Sequence, residues 1–205
     1  MKKFSSLMAE QTLLPIIQAK TPEEGVLLAK AMQDSGLHLV EVVLRTEASL
    51  EALIAIKKEL PDLIVGAGTV IDTQILQKAL EAGSDFIVTP AVSGHLLSEL
   101  AKLDIPVLPG VSTTGEILQA YEYGFMEQKL FPASLAGGAP FLSALSSVFR
   151  DVSFCPTGGI NGANKADFLS LPNVFAAGGT WMVPKDLLAA QDWAGITEAC
   201  RLAQQ

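Results

Sequence analysis

Eight times along this chain a short apolar run gives way to Gly, Pro or Thr punctuation and then to an amphipathic stretch. The runs are residues 12–17, 37–44, 63–69, 85–90, 105–110, 126–131, 152–159 and 173–179. They are almost continuously apolar rather than alternating, as expected of parallel strands covered on both faces. The stretches between them carry helix signals. Thr21 is placed to N-cap, with Pro22 in the first turn and Glu24 to close a capping box. Asp72 is a cap, Gly83 a stop, and Asn161 the natural N-cap after the seventh run. Residues 185–203 carry weaker patterns. Eight strand–helix units predict an α/β fold, a (β/α)8 TIM barrel, with residues 1–205 forming one domain at the short end for that architecture. An open doubly wound sheet is the rival. It is disfavoured because no G-x-G-x-x-G follows the first run and because polar residues end nearly every run.

Composition narrows the function. With 49% hydrophobic and 18% charged residues, the chain is expected to fold as a globular protein. A formal net charge of −8 argues against a nucleic-acid or anionic-membrane binder. An anionic ligand would therefore need a local cradle of positive charge or backbone N–H groups. Cys155, Cys200, His38 and His95 are too few and too scattered for a zinc site; no cofactor is expected. The two lysines at the start are interrupted by Glu10 and Gln11 before any long apolar region, and no run approaches the ~20 residues of a membrane helix. The expected setting is cytoplasmic, with reduced thiols.

In a barrel of this kind the strand C-termini converge on one mouth, where chemistry is carried. Collecting those ends gives Glu41 and Arg45, Thr69, Pro90, Lys129, Thr157-Gly158-Gly159 and Gly178-Gly179-Thr180. Lys129 stands in EQKLFPAS, a lysine within an apolar strand. Two readings stand. It packs or snorkels within the barrel, or it is a nucleophile whose neutral form is favoured by Leu130, Phe131 and a nearby Arg45 guanidinium. Glu41 is open in the same way, as a structural partner for a buried cation or as a proton shuttle. Arg45 suits bidentate carboxylate binding, or a solvated helix start. PTGGI and AAGGT end adjacent strands, where glycines let backbone N–H groups approach an anion; together they point to phosphate. His38 and His95 lie away from the mouth.

EVVLRTE, IVGAGTV, EQKLFPA, FCPTGGI and AAGGTWMVP, in this order, closely resemble the class I aldolases for 2-keto-3-deoxy-6-phosphogluconate. That family includes 4-hydroxy-2-oxoglutarate aldolases and a related galactonate-pathway enzyme, and the resemblance spans nearly the whole chain. It implies a metal-free homotrimeric barrel acting on a keto-acid phosphate. Lys129 would be the Schiff-base lysine and Glu41 the acid/base. Arg45 and Thr69 would hold the pyruvate carboxylate, and Pro90 and Phe131 would line the site. Thr157 would meet the substrate's polar chain, and Gly158, Gly159, Gly178, Gly179 and Thr180 the phosphate. The products would be pyruvate and glyceraldehyde 3-phosphate.

The chain departs from the family pattern at two places. Ser134 follows FPA where an acidic residue is usual, which bears on sugar preference, and GGTW replaces GGSW while keeping a hydroxyl. Two other functions remain open: a 4-hydroxy-2-oxoglutarate aldolase releasing pyruvate and glyoxylate, and a non-catalytic barrel that binds a phosphometabolite.

Overall fold

A computed structural model describes residues 2–205. Nine parallel strand segments alternate with helices. They are β1 (Leu13–Ile17), β2 (Leu39–Val43), β3 (Ile64–Gly68), β4 (Ile87–Val88), β5 (Val107–Leu108), β6 (Gly110–Val111), β7 (Glu127–Leu130), β8 (Ser153–Phe154) and β9 (Ala177–Gly179). Six of them pair in the order β5-β4-β3-β2-β1-β9, and three in the order β6-β7-β8. The fifth apolar run supplies β5 and the first residue of β6, which continues to Val111. Pro109 separates them because proline has no N–H for the ladder, although its carbonyl still accepts from the Lys129 N–H at 2.8 Å. At the other border, parallel bridges pair Phe154 with Val174 and Thr157 with Gly178 of β9. The two sheets thus meet at both margins.

The strand register puts side chains alternately on two faces. One face packs against the helices α2 (Pro22–Asp34), α3 (Glu47–Glu59), α4 (Thr73–Glu81), α5 (Gly94–Leu100), α6 (Thr114–Glu122), α7 (Gly138–Leu145), α8 (Lys165–Leu169), α9 (Lys185–Ala189) and α10 (Trp193–Ala203), through residues such as Val40, Val42, Ala67 and Leu130. The other face encloses a second apolar cluster that includes Leu14, Leu39, Phe86, Leu108 and Cys155. Gly66 belongs to this inner face; a methyl group there would overlap the Phe86 ring. The N-terminal residues, which carry no strand or helix signal, form one turn of helix, α1 (Ser5–Met8), that sends Phe4 and Met8 into this cluster. Phe4 meets Phe86 edge-on, with ring centroids 5.0 Å apart. Glu127 anchors that turn by accepting from the Ser5 N–H at 2.9 Å.

Several helix starts follow their sequence signals. Thr21 Oγ1 accepts from the Glu24 N–H at 3.2 Å, and Asp72 Oδ1 from Ile75 at 2.7 Å. Gly83 stops α4 with φ +79°, a left-handed conformation that glycine adopts without steric cost. Two expectations fail. Glu24 does not close a box on Thr21, because its carboxylate accepts from the Lys20 N–H one residue earlier, at 3.0 Å. Asn161 does not cap a helix: its Oδ1 accepts from the Ala163 N–H at 2.9 Å, making a local Asx turn, and α8 starts only at Lys165. The complete capping box belongs to Thr113 and Glu116 at α6. Burial would raise the Glu116 carboxyl, but hydrogen bonds from Ser112 and Thr113 outweigh it and hold the group below its ordinary range.

Candidate active site

The C-terminal ends of the strands surround a cavity of about 400 Å³. Its walls include Arg45, Thr69, Pro90, Lys129, Phe131, Thr157, Gly158, Gly159, Gly179 and Thr180. Ten of the twelve residues singled out from the sequence therefore share one space, and Glu41 lies directly beneath it, fully buried.

Lys129 is fixed by its backbone before its side chain does anything. Its N–H donates to Pro109 O on one side of β7; two residues on, Phe131 donates to Val111 O at 2.9 Å, and Thr157 donates to Leu130 O at 2.9 Å from the other side. From that rigid position Nζ reaches Glu41 Oε1 at 3.4 Å, with the lysine side chain 5% exposed and that of the glutamate 0%. Phe131 places its ring centroid 5.2 Å from Nζ, where the ring's negative face favours a cation. Leu130, expected to help desolvate the amine, instead faces the helices with the outer core. Period-two alternation requires this, and the desolvation comes from Phe131 and the interior.

Polar valence is left open here. Glu41 Oε2 and Thr157 Oγ1 are buried and have no hydrogen-bond partner among the described residues. Such groups are costly unless something else satisfies them, so both are available to a ligand or to solvent. Thr69 has φ +61°, a left-handed conformation that a β-branched residue rarely adopts. The strain is local to the cavity wall, where such outliers accompany function. No pattern in the sequence announces it.

The glycine pairs divide into different roles. Gly158 and Gly159 have φ +97° and +77°, and neither N–H has an acceptor among the described residues, so this turn presents two donors beside the cavity. Gly178 departs from expectation. Its N–H donates to Pro156 O at 2.8 Å and it is buried, so it offers nothing to an anion. What it provides is room, because a Cβ there would overlap Thr157 Oγ1. Gly179 and Thr180 do border the cavity. Ser134 donates its N–H to Gly158 O at 3.0 Å, and its side chain packs against the Cα side of Gly159, which puts it next to the free donors.

Strand-end reasoning passed over Gln18, a wall residue of this cavity. The signal was present, since Gln18 is the first polar residue after the apolar run of β1. Cys155 lies below the pair on the inner face, and burial pushes its thiol up to about 12, so it stays protonated and is no rival nucleophile at neutral pH. Cys200 is pushed up to about 11 by burial, and both cysteines are free. His38 is at the opposite end, with Nε2 3.2 Å from Leu7 O, and His95 is exposed on α5. A larger cavity of about 650 Å³ also lies at that opposite end. Two ion pairs already stand in its wall, Lys57 with Asp85 at 2.7 Å and Lys2 with Asp104 at 3.2 Å. Among the described residues no cluster of three or more His, Cys, Asp or Glu is placed to hold a metal ion, and no helix is long and apolar enough to cross a membrane.

A buried amine and carboxylate in contact, beneath a cavity with a guanidinium and free backbone donors, is an arrangement suited to covalent chemistry on an anionic carbonyl compound. Residues 4–199 match the family model for aldolases described as KDPG and KHG aldolase. The KHG/KDPG aldolase of Escherichia coli K12 is 42% identical over 198 residues, covering 97% of this chain and 93% of the relative. Among solved structures, a KDPG aldolase of Legionella pneumophila, holding pyruvate as a covalent carbinolamine, superposes with a TM-score of 0.95 at 38% identity; 100% of this chain and 99% of that one are covered. The Zymomonas mobilis 2-keto-3-deoxy-6-phosphogluconate aldolase with 3-phosphoglycerate gives a TM-score of 0.90 at 36% identity, covering 97% of this chain and 93% of that one. The chain belongs to the KDPG and KHG aldolase family.

Proposed function

We propose that this protein is a class I aldolase, a carbon–carbon lyase, that cleaves 2-keto-3-deoxy-6-phosphogluconate or its galactonate epimer to pyruvate and glyceraldehyde 3-phosphate. The observation that carries the reading is the contact between Lys129 Nζ and Glu41 Oε1, 3.4 Å apart and buried at the base of the cavity. The carbinolamine in the Legionella relative and the phosphorylated acid in the Zymomonas relative support its two halves, amine chemistry and phosphate recognition. The scaffold is a single (β/α)8 barrel over residues 1–205; the bridge between Thr157 and Gly178 and the continuity of β5 with β6 across Pro109 support closure. The working form is a cytoplasmic homotrimer.

In this mechanism the neutral Lys129 amine adds to the C2 ketone, and loss of water from the carbinolamine leaves an iminium. Phe131 faces that cation. Removal of the C4 hydroxyl proton lets the C3–C4 bond break, and its electron pair flows into the iminium to give an enamine and an aldehyde. Protonation at C3 and hydrolysis release pyruvate and regenerate the amine. Glu41 moves these protons, directly or through one water, using the oxygen that has no protein partner. Arg45 and Thr69 bind the substrate carboxylate, Pro90 shapes that side, and Thr157 meets the hydroxylated chain. The Gly158 and Gly159 amides with Gly179 and Thr180 take the phosphate, and Ser134 beside them tunes sugar preference.

Steady-state kinetics test the substrate assignment. The expected result is the highest kcat/KM on the phosphogluconate-type or phosphogalactonate-type acid, with inorganic phosphate as a competitive inhibitor. Preferred turnover of 4-hydroxy-2-oxoglutarate, with no effect of phosphate, would replace it with the shorter substrate.

A further inference from the structure

Gly68 ends β3 and is buried. Its φ is not in the left-handed region that favours glycine, so backbone conformation does not explain why a side chain is missing. Space does. A Cβ built at Gly68 would overlap Glu41 Oε1 outright and lie 2.7 Å from Glu41 Cδ and 2.8 Å from Cγ. Three atoms of one side chain occupy the face that this glycine leaves bare. Glu41 pairs across the ladder with Gly66, and Val43 with Gly68, so the carboxylate leans along the sheet toward the C-terminal end, over the glycine two residues up. Oε1, the oxygen that would be overlapped, is also the one that contacts Lys129 Nζ.

We propose that Gly68 is a positioning residue for Glu41, and that its missing methyl group is what allows the carboxylate to stand beside the Lys129 amine. The proposal rests on the aldolase reading for its kinetic consequence, but not for its steric one. The outward neighbour Ala67 packs into the helix-facing core, so the two inward glycines of Gly66-Ala67-Gly68 serve different ends. Gly66 admits a packing ring, whereas Gly68 admits a reacting group. Any side chain at 68 pushes Oε1 back by about 1 Å or more, a displacement of the size that costs on the order of 100-fold in rate.

The test is a cycle of Gly68→Ala, Glu41→Ala and the double variant in the full chain, read by kcat, KM and melting temperature. Gly68→Ala is expected to lower kcat about 100-fold with KM near the wild-type value, and to lower Tm. Glu41→Ala vacates the volume that the new methyl group needs. In that background Gly68→Ala is therefore expected to cost no further activity and to leave Tm unchanged or higher. Retention of wild-type kcat in Gly68→Ala would overturn the proposal. Equal losses of Tm in both backgrounds would also overturn it, because the methyl group would then disturb the sheet rather than the carboxylate. The melting cycle stays informative even if the wild-type protein shows no aldolase turnover, so failure of the functional reading and failure of this contact are separable.

Discussion

The two ends of the strand array treat their polar and apolar groups in opposite ways. At the N-terminal end, Phe4 and Met8 fill the inner face over Phe86 and Leu39. Beside them Lys57 is paired with Asp85, whose carboxylate also accepts from the Val65 N–H at 2.8 Å. At the C-terminal end a lysine and a glutamate are buried together, one carboxylate oxygen and the Thr157 hydroxyl have no partner among the described residues, and Thr69 carries a left-handed backbone. The first end is organised for stability, and the second keeps strain and open hydrogen-bonding valence that a substrate can use. The larger cavity is at the first end, so cavity size alone misplaces the chemistry.

If that contrast is right, substitutions at the two ends should affect different observables. Glu41→Gln keeps the shape of the side chain but removes the carboxylate; kcat should fall by roughly 10²–10⁴-fold with a small change in KM. Equal kcat for this variant and wild type would collapse the distinction. Phe4→Ala probes the other end. It should destabilise the fold by about 3–5 kcal/mol in denaturant titrations while leaving kcat intact below the melting transition. A catalytic defect in the folded variant would show that the ends are coupled. Thr69→Gly should be the mildest. Relief of the left-handed backbone offsets the larger entropy of the unfolded glycine chain, so stability should shift by only about 1 kcal/mol in either direction. KM for the keto acid should rise because the hydroxyl is lost, and an unchanged KM would remove Thr69 from carboxylate binding.

The sequence made the fold legible where periodicity carried it. The apolar runs marked every strand segment, and Thr21, Asp72 and Gly83 marked helix ends through local hydrogen bonding and backbone freedom. It did not announce the N-terminal turn, because Phe4 and Met8 are buried by a tertiary surface that no local pattern reports. The site was legible to the extent that it follows the strand-end rule, which brought Lys129, Arg45, Thr69, Pro90, Thr157 and Thr180 to one cavity. The same rule, applied to β1, would have found Gln18. Gly178 differs from the other glycines in a way its letter hides, because a glycine that offers an N–H and a glycine that makes room look alike in a sequence. Only the hydrogen bond to Pro156 O separates them. Thr69's φ and the overlap at Gly68 are likewise properties of three-dimensional placement.

As the Schiff-base lysine, Lys129 should form a covalent iminium with a keto acid. Incubation of the protein with pyruvate and sodium borohydride, followed by peptide mass spectrometry, tests it directly. The expected product is a reduced pyruvate adduct on Lys129, absent when borohydride or pyruvate is omitted and absent from Lys129→Ala. An unmodified Lys129 in the complete mixture, with the protein folded, would contradict it.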